Sequence, residues 1–224
     1  LRLCDDDARA IYNFLKSDNG GALPDRQIKL LLNSEATTSN IKSQARRIFQ
    51  QADANDLIIF YFSGHGGPNY FVAHNDALGH SDINQILNAS SANKKLCIAD
   101  ACYSGTWDKK SSLHRTGASE KSMVDLYYEA LSTTGNSMAL FMSSQSNETS
   151  LEDPLLGHGV FTHYYMKGLS GAADQDGNRV VTIQELYEYV KAQVGDYAWR
   201  MHQHNQHPQL KGYFDHSMPV GVVR

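Results

Sequence analysis

Hydrophobic residues along the chain follow two periods, one helical and one extended. In DDARAIYNFLKS (residues 6–17), Ala8, Ile11, Tyr12 and Leu15 share one face behind an acidic first turn, which predicts a helix. TTSNIKSQARRIFQQA (37–52) offers Thr and Ser caps, then Ile41, Ala45, Ile48, Phe49 and Ala52 at the same spacing. HSDINQILNAS (80–90), SMVDLYYEALS (122–132), GVFTHYYMKGL (159–169) and TIQELYEYVKAQVGDYAWRM (182–201) also read as helices. Between them lie short apolar runs of strand length. RQIKLLLN (26–33), SMALFMSSQ (137–145) and a last strand, PQLKGYF (208–214), are the weaker ones. DLIIFYFSG (56–64) and KKLCIADA (94–101) are unbroken, as expected of strands buried on both faces of a parallel sheet. Alternating strands and helices without a shift in composition predict one α/β domain over 1–224.

Composition narrows the function classes. At 224 residues, the chain is long enough for one large core. A formal net charge of −4, with no Lys/Arg stripe, points away from nucleic acid. No apolar run approaches the roughly 18 residues that span a bilayer, so no membrane partner is expected. Cys4, Cys97 and Cys102 are too few and too unevenly spaced for a disulfide framework or a CxxC metal site. A reducing, cytoplasmic setting is compatible with them. The sequence starts at Leu1 without a signal-peptide pattern, and LRLCDDDARA reads like the middle of a longer chain.

Two of the apolar runs end abruptly in small residues. FYFSGHGG (60–67) delivers His65 between glycines, and CIADACYSG (97–105) delivers Cys102 before a Tyr-Ser-Gly turn. Parallel α/β sheets carry their functional groups just past the carboxyl ends of central strands. A cysteine there needs a nearby base to become a useful thiolate, and an imidazole supplies one. Gly64 and Gly66 allow a sharp turn, and the amides of Gly66 and Cys102 are candidates for an oxyanion hole. Taken singly, each residue reads as readily as core or strand-end cap. Their matched placement favours a shared site.

YFSGHG followed by IADACYSG resembles the His-Gly and Asp-x-Cys-x-Ser-Gly signatures of caspase-like cysteine peptidases, on the metacaspase and orthocaspase branch. LCDDDARAIYNFL, SSQSNETSLED and the segments GVFTHYYMKGL and VTIQELYEYV are similar to that family's first helix, later loop and C-terminal helices. The resemblance implies a three-layer α/β fold, with a mostly parallel central sheet flanked by helices. It implies Cys102 as nucleophile and His65 as general acid/base, cleaving peptide bonds through an acyl-enzyme, without a metal or other cofactor beyond possible Ca²⁺ activation. The family also opens with a strand that this sequence does not supply. An upstream strand is therefore expected, either preceding these residues or cut away and retained as a bound fragment.

Specificity is read from Asp100, two residues before Cys102 and so on the same side of the strand end. The branch with an acid there cuts after Arg or Lys, and a carboxylate would hold such a side chain by a charge-assisted hydrogen bond. Ser63 falls on the pocket wall by the same alternation, and Asp76 and Asp82 are further acidic candidates. YSGTWDKKSSLHRTGASE (103–120) has no period and reads as a loop, offering Lys109, Lys110 and Arg115 for self-cleavage. A catalytically silent scaffold on the same fold, or a hydrolase of other amides, stands as the alternative. DQDGNRVVTIQE (174–185) has loop-ligand residues at positions one, three, five and twelve of a calcium-binding hand, but Arg179 replaces the glycine of position six. It is read as a turn into a helix. His202, His204 and His207 are read as a solvated loop, and Cys97 as a core thiol.

Overall fold

The computed structural model describes residues 2–67, 69–102, 138–145 and 148–223, Cys102 through its backbone alone. The runs 56–64 and 94–101 form the two longest strands, β1 (Leu57–Gly67) and β4 (Lys94–Cys102). They pair in parallel, and β4 pairs in parallel with β5 (Met138–Met142). Two short strands, β2 (Tyr70–Val72) and β3 (Ala77–Gly79), fold back antiparallel beyond the end of β1. On the far side, β9 (Gln209–Tyr213) runs antiparallel to β5. The resulting order is β3-β2-β1-β4-β5-β9, parallel at its centre and antiparallel at both edges.

Strand alternation divides the centre of this sheet between two helical layers. Ile58, Phe60, Cys97, Ala99, Leu140 and Met142 pack with α2 (Thr38–Phe49) and α3 (His80–Asn88). Leu57, Ile59, Tyr61, Leu96, Ile98, Ala139 and Phe141 face α1 (Cys4–Lys16), α4 (Val160–Lys167) and α5 (Ile183–His202). The helix starts follow local chemistry. Thr37 accepts the amide of Asn40 at the head of α2, and Thr182 with Glu185 closes a reciprocal capping box on α5. Two small antiparallel ribbons complete the described residues: β6 (Glu152–Asp153) with β7 (His158–Gly159), and β8 (Val180–Thr182) with β10 (Pro219–Val222). Thus 208–214 does not hold the last strand. No described helix is long and apolar enough to cross a membrane.

RQIKLLLN is not a strand. Residues 28–32 form no ladder, because a cavity of about 480 Å³ separates them from β1. Its walls are Leu30 and Leu32 on one side, Ile59 and Tyr61 on the other, with Ile11 of α1 and Ile41 of α2 closing the faces. Among the described residues, β1 has strand partners beyond β4 only at Gly66 and Gly67, and its stretch from Leu57 to Ser63 lines this slot. The helix expected at 122–132 and the loop 103–120 lie outside the described residues.

Candidate active site

In the parallel ladder, Tyr61 stands opposite Ile98, Ser63 opposite Asp100 and His65 opposite Cys102. This ladder therefore ends at His65 and Cys102, whose positions are adjacent at the carboxyl edge of the parallel strands. His65 is exposed at that edge, and partial desolvation of its ring holds its pKa below the usual imidazole value. A histidine so biased is neutral near pH 7 and able to take a proton. Gly66 follows it, opposite Phe71 of β2.

One layer deeper lie two buried carboxyl groups. Asp100 accepts from Ser150 Oγ at 2.6 Å, Thr162 Oγ1 at 2.7 Å and the Thr162 amide at 3.2 Å. Asp7, on the inner face of α1, accepts from Ser63 Oγ at 2.9 Å and from the Gly159 amide at 3.0 Å, with His158 Nδ1 at 3.1 Å. Both Oδ2 atoms lie within 3.2 Å of where a Gly159 Cβ would stand, so a side chain there would collide with the pair. The first turn of α4 thus supplies amides to both acids while its missing side chain lets them approach. Among the described residues, no Lys or Arg pairs with either one. Burial and then the charge of Asp100 push the Asp7 pKa up to about 8; burial raises that of Asp100 too. Tyr61 closes the base of the cluster through a 2.7 Å contact with Thr162 Oγ1.

Residues 1–214 match the family described as the caspase domain. The chain belongs to the caspase family of cysteine peptidases. No curated relative matches the chain in sequence. Among solved structures, caspase-1 from Spodoptera frugiperda is similar with a TM-score of 0.59 at 14% identity, over 99% of this chain and 81% of that one. A structure titled pro-sf-caspase-1 gives 0.55 at 16% identity, over 97% and 81%. These likenesses support the fold, a caspase-like sheet between helical layers.

Within this caspase domain the other thiols are poor rivals to Cys102. Cys97 is buried in mid-strand, and burial pushes Cys4 up to about 12. The structure separates Asp76 and Asp82 from the acid pair. Asp76 caps the β2–β3 turn by accepting the Ala77 amide at 2.7 Å, and Asp82 pairs with Lys42 of α2 at 3.1 Å. Lys109, Lys110 and Arg115 lie outside the described residues. His202, His204 and His207 go to three different partners: Asp153 at 3.0 Å, the Thr149 carbonyl at 3.0 Å and Glu148 at 2.6 Å. They anchor the segment that carries Ser150 and share no common ligand point. Asp7, Ser150, His158, Gly159 and Thr162 were not singled out from sequence. DDD at 5–7 was visible as a helix start, but only packing shows which of its acids turns inward.

Proposed function

We propose that this caspase domain is an active cysteine endopeptidase of the metacaspase and orthocaspase branch, cutting after Arg or Lys. The observation that carries this reading is the buried Asp7–Asp100 pair beneath the His65 and Cys102 positions. Two adjacent carboxyl groups without a strong cation are costly to ionise together, and an arginine or lysine side chain of the substrate supplies the missing charge. Ser63, already bonded to Asp7, forms the wall that such a side chain passes.

In the proposed chemistry, His65 takes the Cys102 thiol proton, and the thiolate attacks the carbonyl carbon after the basic residue. The amides of Gly66 and Cys102 receive the negative charge that grows on the carbonyl oxygen. His65 then gives its proton to the departing amine, leaving a thioester. Water, deprotonated by His65, hydrolyses the thioester and regenerates the thiol. Profiling with fluorogenic peptides, beside labelling by a basic peptidyl ketone, tests the assignment. Cleavage after Arg or Lys with label on Cys102 supports it; a silent scaffold takes neither.

Two further readings complete the proposal. Cleavage within 103–120 after Lys109, Lys110 or Arg115 makes the enzyme its own substrate. The slot beside β1 receives an extended upstream segment of the same polypeptide. Its support is the shape of the slot, a sheet-level gap between α1 and α2, together with the position of Arg2 and Leu3. Their amides bond Glu152 at 2.7–2.9 Å beside the carboxyl edge, where a strand parallel to β1 would emerge.

A further inference from the structure

The loop DQDGNRVVTIQE lies between the short turn that follows α4 and the start of α5. Its sequence argued against a metal because Arg179 occupies the position where calcium-binding loops use glycine. The structure removes that objection, since Arg179 adopts the left-handed conformation itself, with φ of 70°. One ligand atom from each of Asp174, Asp176 and Glu185 lies within 4.8 Å of the others.

The decisive feature is Oδ1 of Asp174. It is sealed from solvent and has no hydrogen-bond partner, whereas its Oδ2 accepts the Arg179 amide at 3.1 Å. The remaining carboxylate oxygens are all engaged. Asp176 takes the amide and side-chain nitrogen of Asn178, at 3.0 and 2.8 Å. Glu185 takes the Gln175 amide at 3.2 Å and the amide and hydroxyl of Thr182 at 2.9 and 2.8 Å. Loop amides thus fix the orientation of three acids, and one oxygen of the partly buried Asp174 is left without solvent or a donor. A buried oxygen of that kind is costly unless something positive meets it. Among the described residues, no Lys or Arg ion-pairs with any of the three. A water molecule would satisfy the oxygen without balancing the charge; a divalent cation does both.

We infer that residues 174–185 form a calcium site held by Asp174, Asp176, Asn178 and Glu185. Hard oxygen donors at positions one, three, five and twelve of a twelve-residue loop suit Ca²⁺, which accepts six to eight oxygens in flexible geometry, better than Mg²⁺. The site is structural. It ties the start of α5 to β8, which pairs with β10. At the other end of α5, Tyr197 and His202 bond Asp153. The helix itself is twenty residues long, about 30 Å, with Glu185 in its first turn and His202 in its last.

The test uses the full chain carrying Cys102→Ala, stripped with EGTA, and titrates CaCl₂ or MgCl₂ by calorimetry beside thermal unfolding. One Ca²⁺ per chain is expected, with a rise in Tm and a weaker response to Mg²⁺. Asp174→Asn is expected to weaken Ca²⁺ binding about tenfold or more. Asp176→Asn, an exposed position, is expected to do the same while circular dichroism stays unchanged. No heat and no Tm change with millimolar Ca²⁺, or equal affinity in both variants, overturns the site. An equal response to Mg²⁺ overturns its assignment to calcium.

Discussion

At the scale of single residues, the proposed chemistry depends on two neighbours in one ladder, His65 and Cys102. Nucleophile and base act as a unit, so Cys102→Ala is expected to abolish peptide hydrolysis and His65→Ala to lower it by several orders of magnitude. Near-normal turnover in either variant would remove the dyad. Asp7 makes a separate, pH-dependent prediction. Its pKa is raised in the folded protein from 3.8 to about 8, so the native state binds the extra proton across that window. Its contribution to stability is then full below about pH 4 and is lost as pH rises through about 8. Unfolding of the Cys102→Ala protein should show this slope, and Asp7→Asn should flatten it. Function has the opposite sign, because a cationic substrate needs the pair deprotonated. The ratio of kcat/KM for an arginine peptide over its neutral citrulline counterpart should climb as pH approaches 8. Both substrates use the same dyad, so titration of His65 and Cys102 cancels in the ratio. A flat ratio would mean that the carboxyl pair does not read the substrate's charge.

Elements explain why some of this was legible in the sequence and some was not. Unbroken apolar runs before SGHGG and before ACYSG announced β1 and β4, with the candidate site at their ends, since burial on both faces leaves a strong signal. The same logic misread 26–33, whose apolar residues line a cavity and pack as an unpaired extended segment. The β2–β3 ribbon is too short for any period to show. The first turn of α4 was invisible for a different reason: its contribution is made by amides and by the absence of a side chain at Gly159. Asp7 belongs to α1 and Asp100 to β4, and their meeting is a fact of packing between elements 93 positions apart. Gly159→Ala tests that meeting directly. A Cβ would collide with Asp100 and crowd Asp7, and the strain should cost about 1–3 kcal/mol. Activity toward basic substrates should fall more than labelling of Cys102 by a small alkylating thiol reagent. Equal losses in both would show that the substitution simply unfolds the site.

For the whole molecule, the open question is how the sheet is completed between β1 and residues 28–32. Along the slot, the outer edge of β1 has no strand partner among the described residues, while α1 and α2 already cover the layers above and below. An exposed edge beside an apolar cavity is a template for another strand. Hydrogen exchange on the protein as the cell makes it, beside the chain that begins at Leu1, separates the possibilities. With an upstream strand seated, the outward-facing amides of Leu57–Ser63 should be strongly protected, and Tm should exceed that of the shorter chain. If self-processing follows, wild-type protein should yield fragments ending at Lys109, Lys110 or Arg115 that Cys102→Ala lacks. Any upstream fragment should stay bound after such cuts, because sheet hydrogen bonds and apolar packing hold it rather than the peptide bond. Mass spectrometry under native and denaturing conditions distinguishes a retained fragment from a lost one. Unprotected β1 amides in the longest natural form would show that the slot remains open, and protection that appears only at high concentration would assign the strand to a second copy.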